Sequence, residues 1–418
     1  MKILFILGAY KPRASANGLC SLNIIRCLKD EGHSVTVLCN QTIGCGRHTI
    51  EDNIPIYRVK QRLYLRLKEY SEVYANAEPT LSRIVACFAH IINKLQLMLF
   101  APFWPIISPK VNKRFARMAK ELQKRNNYNV VISVYTPIEA LLAGYELKKE
   151  HPQVKFIPYF LDSLSGGYGP KLFSEKKTLK RGLKIEAKVY DIADAIILMK
   201  SSEGHQKEHN GQYVKKMKFL DIPMFVKPKN DKLSSTIKYN SEQYKLLFVG
   251  SISRNIRNPE TLINALCHLD REDIVCEFVG NIDCMEDFVP LKAKMGEKLI
   301  FSAFMDHDKL AEKISAAHIL INIGNRLPTM VPSKIFEYMS YSKPIISTYD
   351  IENEPSVEYL RVYPAALLLS GLASPVENAS LISQFIQNID NVKVDYDALE
   401  KQFYLNTPKA FREIIDGL

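Results

Sequence analysis

None of the eight cysteines stands in a C-x-x-C pair, and none is spaced with histidine as a metal site requires. Several sit inside apolar runs, as Cys276 does in IVCEFVG, so reduced, buried thiols in a cytoplasmic protein are expected. The nine histidines form no Ser/His/Asp, Cys/His or metal constellation, so neither a hydrolase triad nor a metal site is expected. The dinucleotide fingerprint G-x-G-x-x-G is missing, as are short-period repeats and low-complexity tracts. The first residues, MKILFILGAYKPR, have a short apolar run and no small-residue cleavage site, so they read as a buried strand and not as a signal peptide. No run is expected to cross a bilayer. The best candidate, 83–107 with the only tryptophan (Trp104), is interrupted by His90, Asn93, Lys94, Gln96, Pro102 and Pro105.

What is present is length and an uneven charge. A chain of 418 residues exceeds what one hydrophobic core ordinarily serves, so two domains are expected. Residues 1–220 carry 35 Lys and Arg against 18 Asp and Glu, an excess of 17 positive charges; the remainder carries 21 against 27, an excess of 6 negative. A strongly basic half implies an anionic partner, with nucleic acid, anionic lipid headgroups and a diphosphate carrier all open. Nucleic acid ranks lowest, because no recognisable reading module accompanies the charge.

Short apolar runs alternate with longer amphipathic ones, the signature of βαβ units. Strands are expected near 2–7, 34–39, 54–59, 129–134, 154–160, 195–199 and 217–221, with helices at 19–31 and 138–149. After a linker-like stretch around 221–223 and 227–242 the count restarts, near 245–250, 274–279, 298–302, 318–323, 344–348 and 364–369. The expected fold class is α/β, two doubly wound parallel-sheet domains with a ligand bound between them.

Residues 61–110 break this rhythm. The aromatic and basic mix of 83–107 suits a helix lying in a membrane interface; an insertion packed over the domain core is the competing expectation. Basic residues then crowd 176–188, where positions 177, 181, 184 and 188 share one helical face. A solvated face explains that as well, but two such features in one basic domain favour an anionic membrane surface as partner.

The stretch VPSKIFEYMSYSKPII, 331–346, carries the strongest chemical signal. Pro332 suits a first helical turn, Ser333, Lys334 and Glu337 share a polar side, and Ile335, Phe336 and Met339 turn to the core. A helix start with a hydroxyl and a lysine suits a phosphate, and Glu337 stands where it could accept from a ribose diol. A capped surface helix with a solvated Lys334–Glu337 pair is the alternative. Gly250 ends the first strand of the second half, and Arg254 and Arg257 in the loop SISRNIRNPE are placed to clamp a diphosphate. The loop from Gly324 through Asn325, Arg326 and Pro328 lies on the same edge. In the first half, Asn17 and Gly18 close a loop that begins at Gly8 and precedes a helix. Asp162 ends a strand ahead of the glycine-rich SLSGGYG, as a base, an orienting group or a cap; Tyr135 and Thr136 likewise follow a buried strand.

The order Gly250, loop, RNPE, EFVG and PSKIFEYMSYSKPII resembles the nucleotide-sugar domain of family 4 glycosyltransferases of the GT-B fold, nearest to bacterial members that build cell-surface polysaccharides. The resemblance covers most of the chain, with 61–110 least matched. It implies two facing Rossmann-like domains: an acceptor-binding domain at 1–222 completed by a C-terminal helix in 400–418, and a nucleotide-sugar-binding domain at 223–399. It implies a nucleotide diphosphate sugar as co-substrate, UDP-sugar favoured, transferred with retention and with neither metal nor cofactor. On that pattern Glu337 holds the ribose, Ser333 the diphosphate region, and Arg257 is the basic diphosphate-binding residue. Asn17 and Gly18 cover the donor phosphates, and Asp162 stands beside the acceptor cleft with Tyr135 and Thr136. The implied catalytic set is Asp162, Arg257 and Glu337; Gly250, Arg254, Asn325 and Lys334 complete the donor site. Three positions depart from the family. Thr329 stands where a first glutamate often precedes Glu337, Ser251 replaces a second basic residue for which Arg254 is the substitute, and Tyr135 or Thr136 stands near the place of a cleft histidine.

The function implied is sugar transfer to a lipid-linked or glycan acceptor in surface polysaccharide biosynthesis, by a cytoplasmic protein peripheral on the inner face of the plasma membrane. Without a metal, a departing diphosphate needs fixed positive charge and helix N–H groups, which Arg257, Arg254, Lys334 and the helix start supply. A nucleotide-sugar epimerase of the same fold and a non-catalytic nucleotide-sugar-binding subunit are the alternatives.

Overall fold

The computed structural model describes residues 1–418 apart from 76, 168, 171–172, 229–242, 304, 306 and 328–330, and the side chains of 307, 308 and 391. Thr329, Pro328 and most of the expected linker lie outside the described residues. The chain divides into two compact units, Met1–Pro223 with Pro408–Leu418, and Met224–Thr407. The return to the first unit therefore begins at Pro408, and residues 400–407 lie with the second unit.

The first unit is built on eight strands: β1 (Lys2–Ile6), β2 (Ser34–Asn40), β3 (His48–Glu51), β4 (Ile54–Val59), β5 (Val130–Tyr135), β6 (Lys155–Phe160), β7 (Ile196–Met199) and β8 (Met217–Leu220). Their spatial order is β3-β4-β2-β1-β5-β6-β7-β8. Helices α1 (Ala16–Asp30), α2 (Leu63–Val73), α3 (Pro79–Phe100), α4 (Pro109–Asn126), α5 (Ile138–Glu150), α6 (Glu175–Ile192) and α7 (Glu203–Asn210) connect them. Ile3, Leu4, Phe5 and Ile6 are all fully buried, because a parallel sheet covered on both faces needs apolar side chains on both. The exception is β3, which pairs antiparallel with β4 through a turn at Asp52 and Asn53, both at positive φ.

The second unit is a wholly parallel sheet of β9 (Tyr244–Val249), β10 (Ile274–Val279), β11 (Leu299–Ser302), β12 (Ile319–Ile323), β13 (Ile345–Tyr349) and β14 (Ala366–Ser370), ordered β11-β10-β9-β12-β13-β14. Its helices are α8 (Glu260–His268), α9 (Val289–Met295), α10 (His307–Ala316), α11 (Lys334–Ser340), α12 (Pro355–Arg361), α13 (Pro375–Gln387) and α14 (Tyr396–Gln402). Chain order reverses between β9 and β12, which makes the carboxyl ends of these two strands the switch point where sheets of this kind bind ligands. The last helix, α15 (Pro408–Asp416), belongs to the first unit, where Phe411 packs on Tyr159 and Phe5 at ring distances of 5.0 and 6.5 Å.

Helix α3 corrects the expectation that polar residues and prolines interrupt this segment. It runs unbroken for 22 residues through His90, Asn93, Lys94 and Gln96, with Pro102 and Pro105 beyond its end. By length and composition Pro79–Phe103 is apolar enough to cross a membrane. Nor is it packed over the domain core: only Ser82 and Ala89 are buried, and its neighbour is α2.

Candidate functional site

In the second unit the loop after β9 folds back over its own strand. Ile256 and Arg257 both donate their N–H to the Ser253 carbonyl, at 2.9 and 2.6 Å. This brings the Arg257 guanidinium over Gly250, where a Cβ would lie 3.3 Å from Nη1; Gly250 itself has φ +150°. Arg257 Nε donates to Asn325 Oδ1 at 2.9 Å and Nη1 to the Ser251 carbonyl at 3.4 Å. A guanidinium carries five N–H donors, so these two bonds orient it without exhausting it. Burial lowers its pKa, with Tyr338 and Glu354 opposing, and it stays charged.

Asn325 comes from the loop after β12, on the other side of the switch point. Its N–H donates to Glu354 Oε1 at 3.1 Å, and Arg326 N–H donates to the Ile256 carbonyl at 2.8 Å, so the two loops are tied together. Glu354 also caps α12, accepting from Ser356 N–H at 2.9 Å and from the Ser356 hydroxyl. Burial raises its pKa while these hydrogen bonds oppose the shift. Sequence reasoning missed Glu354; its signal is a carboxylate directly before a proline that opens a helix.

Helix α11 lies over the end of β9, where Val249 N–H donates to the Tyr338 hydroxyl at 3.1 Å. Burial raises the Tyr338 pKa, Glu337 adds to the shift and Arg257 opposes it, so the residue links helix to loop. The helix begins at Lys334, two residues later than expected: Pro332 precedes it, and Ser333 is an N-cap in the αR region whose side chain makes no capping bond. Ile335, Phe336 and Met339 are buried. Lys334 Nζ meets Glu337 Oε2 at 2.5 Å, and with the Glu337 side chain only 9 % exposed the pair is not the solvated one of the alternative reading.

Arg254 turns elsewhere. Its Nε donates to Asp287 Oδ2 at 3.0 Å and its Nη2 to Glu286 Oε1 at 2.9 Å, with a further bond to Asp287 Oδ1. The structure thus gathers Gly250, Arg257 and Asn325 beside Tyr338 of α11, and leaves Arg254 neutralised by carboxylates. A pocket of about 250 Å³ opens beside them at the ends of β10 and β11, lined by Phe278, Gly280, Asn281, Ile282, Met285 and Phe301. Ile252 N–H joins it to the Arg257 loop by donating to the Asn281 carbonyl at 2.9 Å. A second pocket, about 310 Å³, lies beyond β13 and β14 among Thr261, Arg326, Asp350 and Asn378.

The first unit gathers its own candidates at the carboxyl ends of neighbouring strands β1, β5 and β6. Asn17, in the first turn of α1, donates Nδ2–H to Asp162 Oδ2 at 3.2 Å. A Cβ on Gly18 would stand 2.2 Å from the Ala9 carbonyl oxygen, so only glycine lets α1 start there. Tyr135 ends β5 with its ring 5.7 Å from that of Phe160; burial raises its pKa, and Asp162 adds to the shift. Thr136 follows, exposed. Behind them Glu139 is 1 % exposed, both carboxylate oxygens lack hydrogen bonds, and Arg62 Nε is 3.7 Å away. The loop after Asp162 is held by Glu186 of α6, which accepts from Ser165 N–H at 2.9 Å, Ser165 Oγ at 2.8 Å and Asn210 Nδ2 at 2.8 Å. Among the described residues no group of three or more His, Cys, Asp or Glu is placed to hold a metal.

Residues 243–370 match the family Glycosyl transferases group 1. That span is the second sheet from β9 to β14, and it includes Gly250, Arg257, Asn325 and Glu337. No curated protein sequence matches the chain. Among solved structures, a glycosyltransferase from Rickettsia africae ESF-5 superposes with a TM-score of 0.61 at 14% identity, over 99% of this chain and 97% of that one. Anabaena Alr3699/HepE in complex with UDP gives 0.58 at 14% identity, and WaaG, a glycosyltransferase involved in lipopolysaccharide biosynthesis, gives 0.53 at 11%, each over 100% of both chains. At these identities the likeness is one of fold: the two parallel-sheet α/β units are those of the GT-B glycosyltransferases.

Proposed function

We propose that the protein transfers a hexose from a nucleotide diphosphate sugar, UDP-sugar favoured, to a lipid-linked or glycan acceptor in surface polysaccharide biosynthesis, with retention and without a metal. The observation that carries this reading is Arg257, a cation held over Gly250 by neutral partners at the carboxyl edge of the sheet that matches the glycosyltransferase family. When the anomeric C–O bond of the donor breaks, negative charge grows on the departing diphosphate. Preorganised donors aimed at that charge supply the largest catalytic effect, and Arg257 is such a donor. Arg254 is already neutralised by Asp287 and Glu286 and adds little. Glu337 is the acceptor for the ribose hydroxyls, and the half-buried ring of Phe301 in the pocket wall suits the flat face of a base. In the first unit Asp162, steadied by Asn17, is the carboxylate that orients the acceptor hydroxyl, next to Tyr135 and Thr136.

Transfer assays with a panel of nucleotide sugars test the reading. Arg257→Ala and Glu337→Gln are expected to lower kcat/KM by about a hundredfold or more at an unchanged melting temperature, and Arg254→Ala by less than about threefold. Wild-type turnover in both of the first two variants would remove the site. Sugar isomerised without acceptor would identify an epimerase, and UDP affinity with no transfer to any acceptor a binding subunit.

A further inference from the structure

The longest helix of the first unit is also its most exposed. Along α3, Leu81, Ile84, Phe88, Ile91, Leu95 and Met98 follow one another at alternating steps of three and four residues, so they form one stripe. Each is between 45% and 66% exposed. From Leu81 to Met98 the strip spans 18 residues of the helix, about 27 Å, far more than the isolated apolar side chains normal on a protein surface. Leu99 in the last turn and Phe103 just past the helix extend it, exposed by 71% and 63%. The helix carries no aspartate or glutamate; its charged residues are Arg83 and Lys94.

Charge indicates what covers the strip. The segment after α3 docks on the basic start of α6, where Arg181 Nη1 donates to the carbonyls of Ala101 and Pro102 at 3.1 and 2.7 Å. Lys177 and Arg181 stand over the Phe173 ring at 4.0 and 4.8 Å, and Phe173 meets Trp104 edge-on at 6.4 Å. Lys176, Lys177, Lys180 and Lys184 are exposed beside them. An apolar strip ending in an aromatic pair and a cluster of lysines has the chemistry of the hydrocarbon, interfacial and headgroup zones of an anionic bilayer.

Topology decides how the helix meets it. β4 precedes α2 and α3, β5 follows α4, and both strands lie in one sheet. A single crossing would leave them on opposite sides of about 30 Å of hydrocarbon. Helix α2, with 11 residues, is about 16 Å long and cannot cross back.

We infer that α3, the segment 101–107 and the lysines of α6 form a monotopic anchor that lays the first unit on an anionic membrane surface. The inference stands apart from the sugar-transfer reading and does not need it. Vesicle flotation of the full chain tests it. Vesicles of equal parts phosphatidylglycerol and phosphatidylcholine are expected to carry the protein at low salt, and phosphatidylcholine alone to carry far less. Lys176→Gln, Lys180→Gln and Lys184→Gln together are expected to lower partitioning about a hundredfold, at about fivefold per lysine. Phe88→Asp with Leu95→Asp is expected to abolish flotation at an unchanged melting temperature, since both side chains are exposed. Flotation that ignores vesicle charge and the lysine changes would overturn the inference. So would bound protein that resists alkaline carbonate extraction, as a spanning helix does. A third contrary result is a wild-type dimer in sedimentation equilibrium, without flotation, that the Phe88/Leu95 variant dissociates.

Discussion

Arg254 and Arg257 stand three positions apart in one loop and have opposite surroundings. Two carboxylates neutralise the first, while an amide oxygen and a carbonyl hold the second and leave its charge for a ligand. Both arginines were legible as candidates, because a strand ending in glycine marks the carboxyl edge of a parallel sheet. Their difference was not, since it depends on Asp287, which the fold brings from the turn that follows β10. Glu139 was likewise invisible: nothing local distinguishes a glutamate in a first helical turn from a solvated one. Burial raises its pKa above the ordinary 4.5, with Arg62 opposing. The folded chain therefore holds this proton more tightly than the unfolded chain does, and stability contributed at this position falls as pH rises from about 4.5 through the raised folded value. Glu139→Gln is expected to flatten that fall and to raise the melting temperature at neutral pH. Paired melts of variant and wild type across that range measure it.

At the scale of elements, the strands buried on both faces were readable as apolar runs, and each lies within about two residues of its expected place. β3 was not readable, because HTIE is short and half-exposed and depends on the turn at Asp52 and Asn53. α3 was misjudged for a geometric reason. Counted along the chain, His90, Asn93, Lys94 and Gln96 interrupt the apolar run; wound on a helix, they fall beside the stripe and leave it continuous. The start of α1 shows the converse, an element whose position one residue fixes. Ser15 Oγ accepts from Gly18 N–H at 3.2 Å, and the Gly18 Cα faces the Ala9 carbonyl. Gly18→Ala is expected to cost about 1–3 kcal/mol by forcing that contact apart, read as a lower urea midpoint at an unchanged slope.

At the scale of the molecule, the two-unit plan was legible because the count of strands restarts, and the unequal charge of the halves follows the same division. The point of return was less so, since α14 and α15 are both short amphipathic helices and only packing assigns them. Phe411 makes the assignment of α15, being fully buried against Phe5 and Tyr159, and Arg412 Nη1 adds an ion pair to Glu31 at 2.6 Å. Phe411→Ala is expected to cost the first unit about 3–5 kcal/mol and to leave the second unaffected. Two separated transitions in calorimetry, of which only one moves, would be the signature.

Glu186 has one further implication. It belongs to the helix whose opening turns carry the exposed lysines, yet its carboxylate grips Ser165, three positions after Asp162, and Gly182 on the same helix sits so close that a Cβ would come within 2.5 Å of the Ser165 Cα. Helix and loop are thereby joined at Ser165, so the exposed lysines and the loop that follows Asp162 share one packed support.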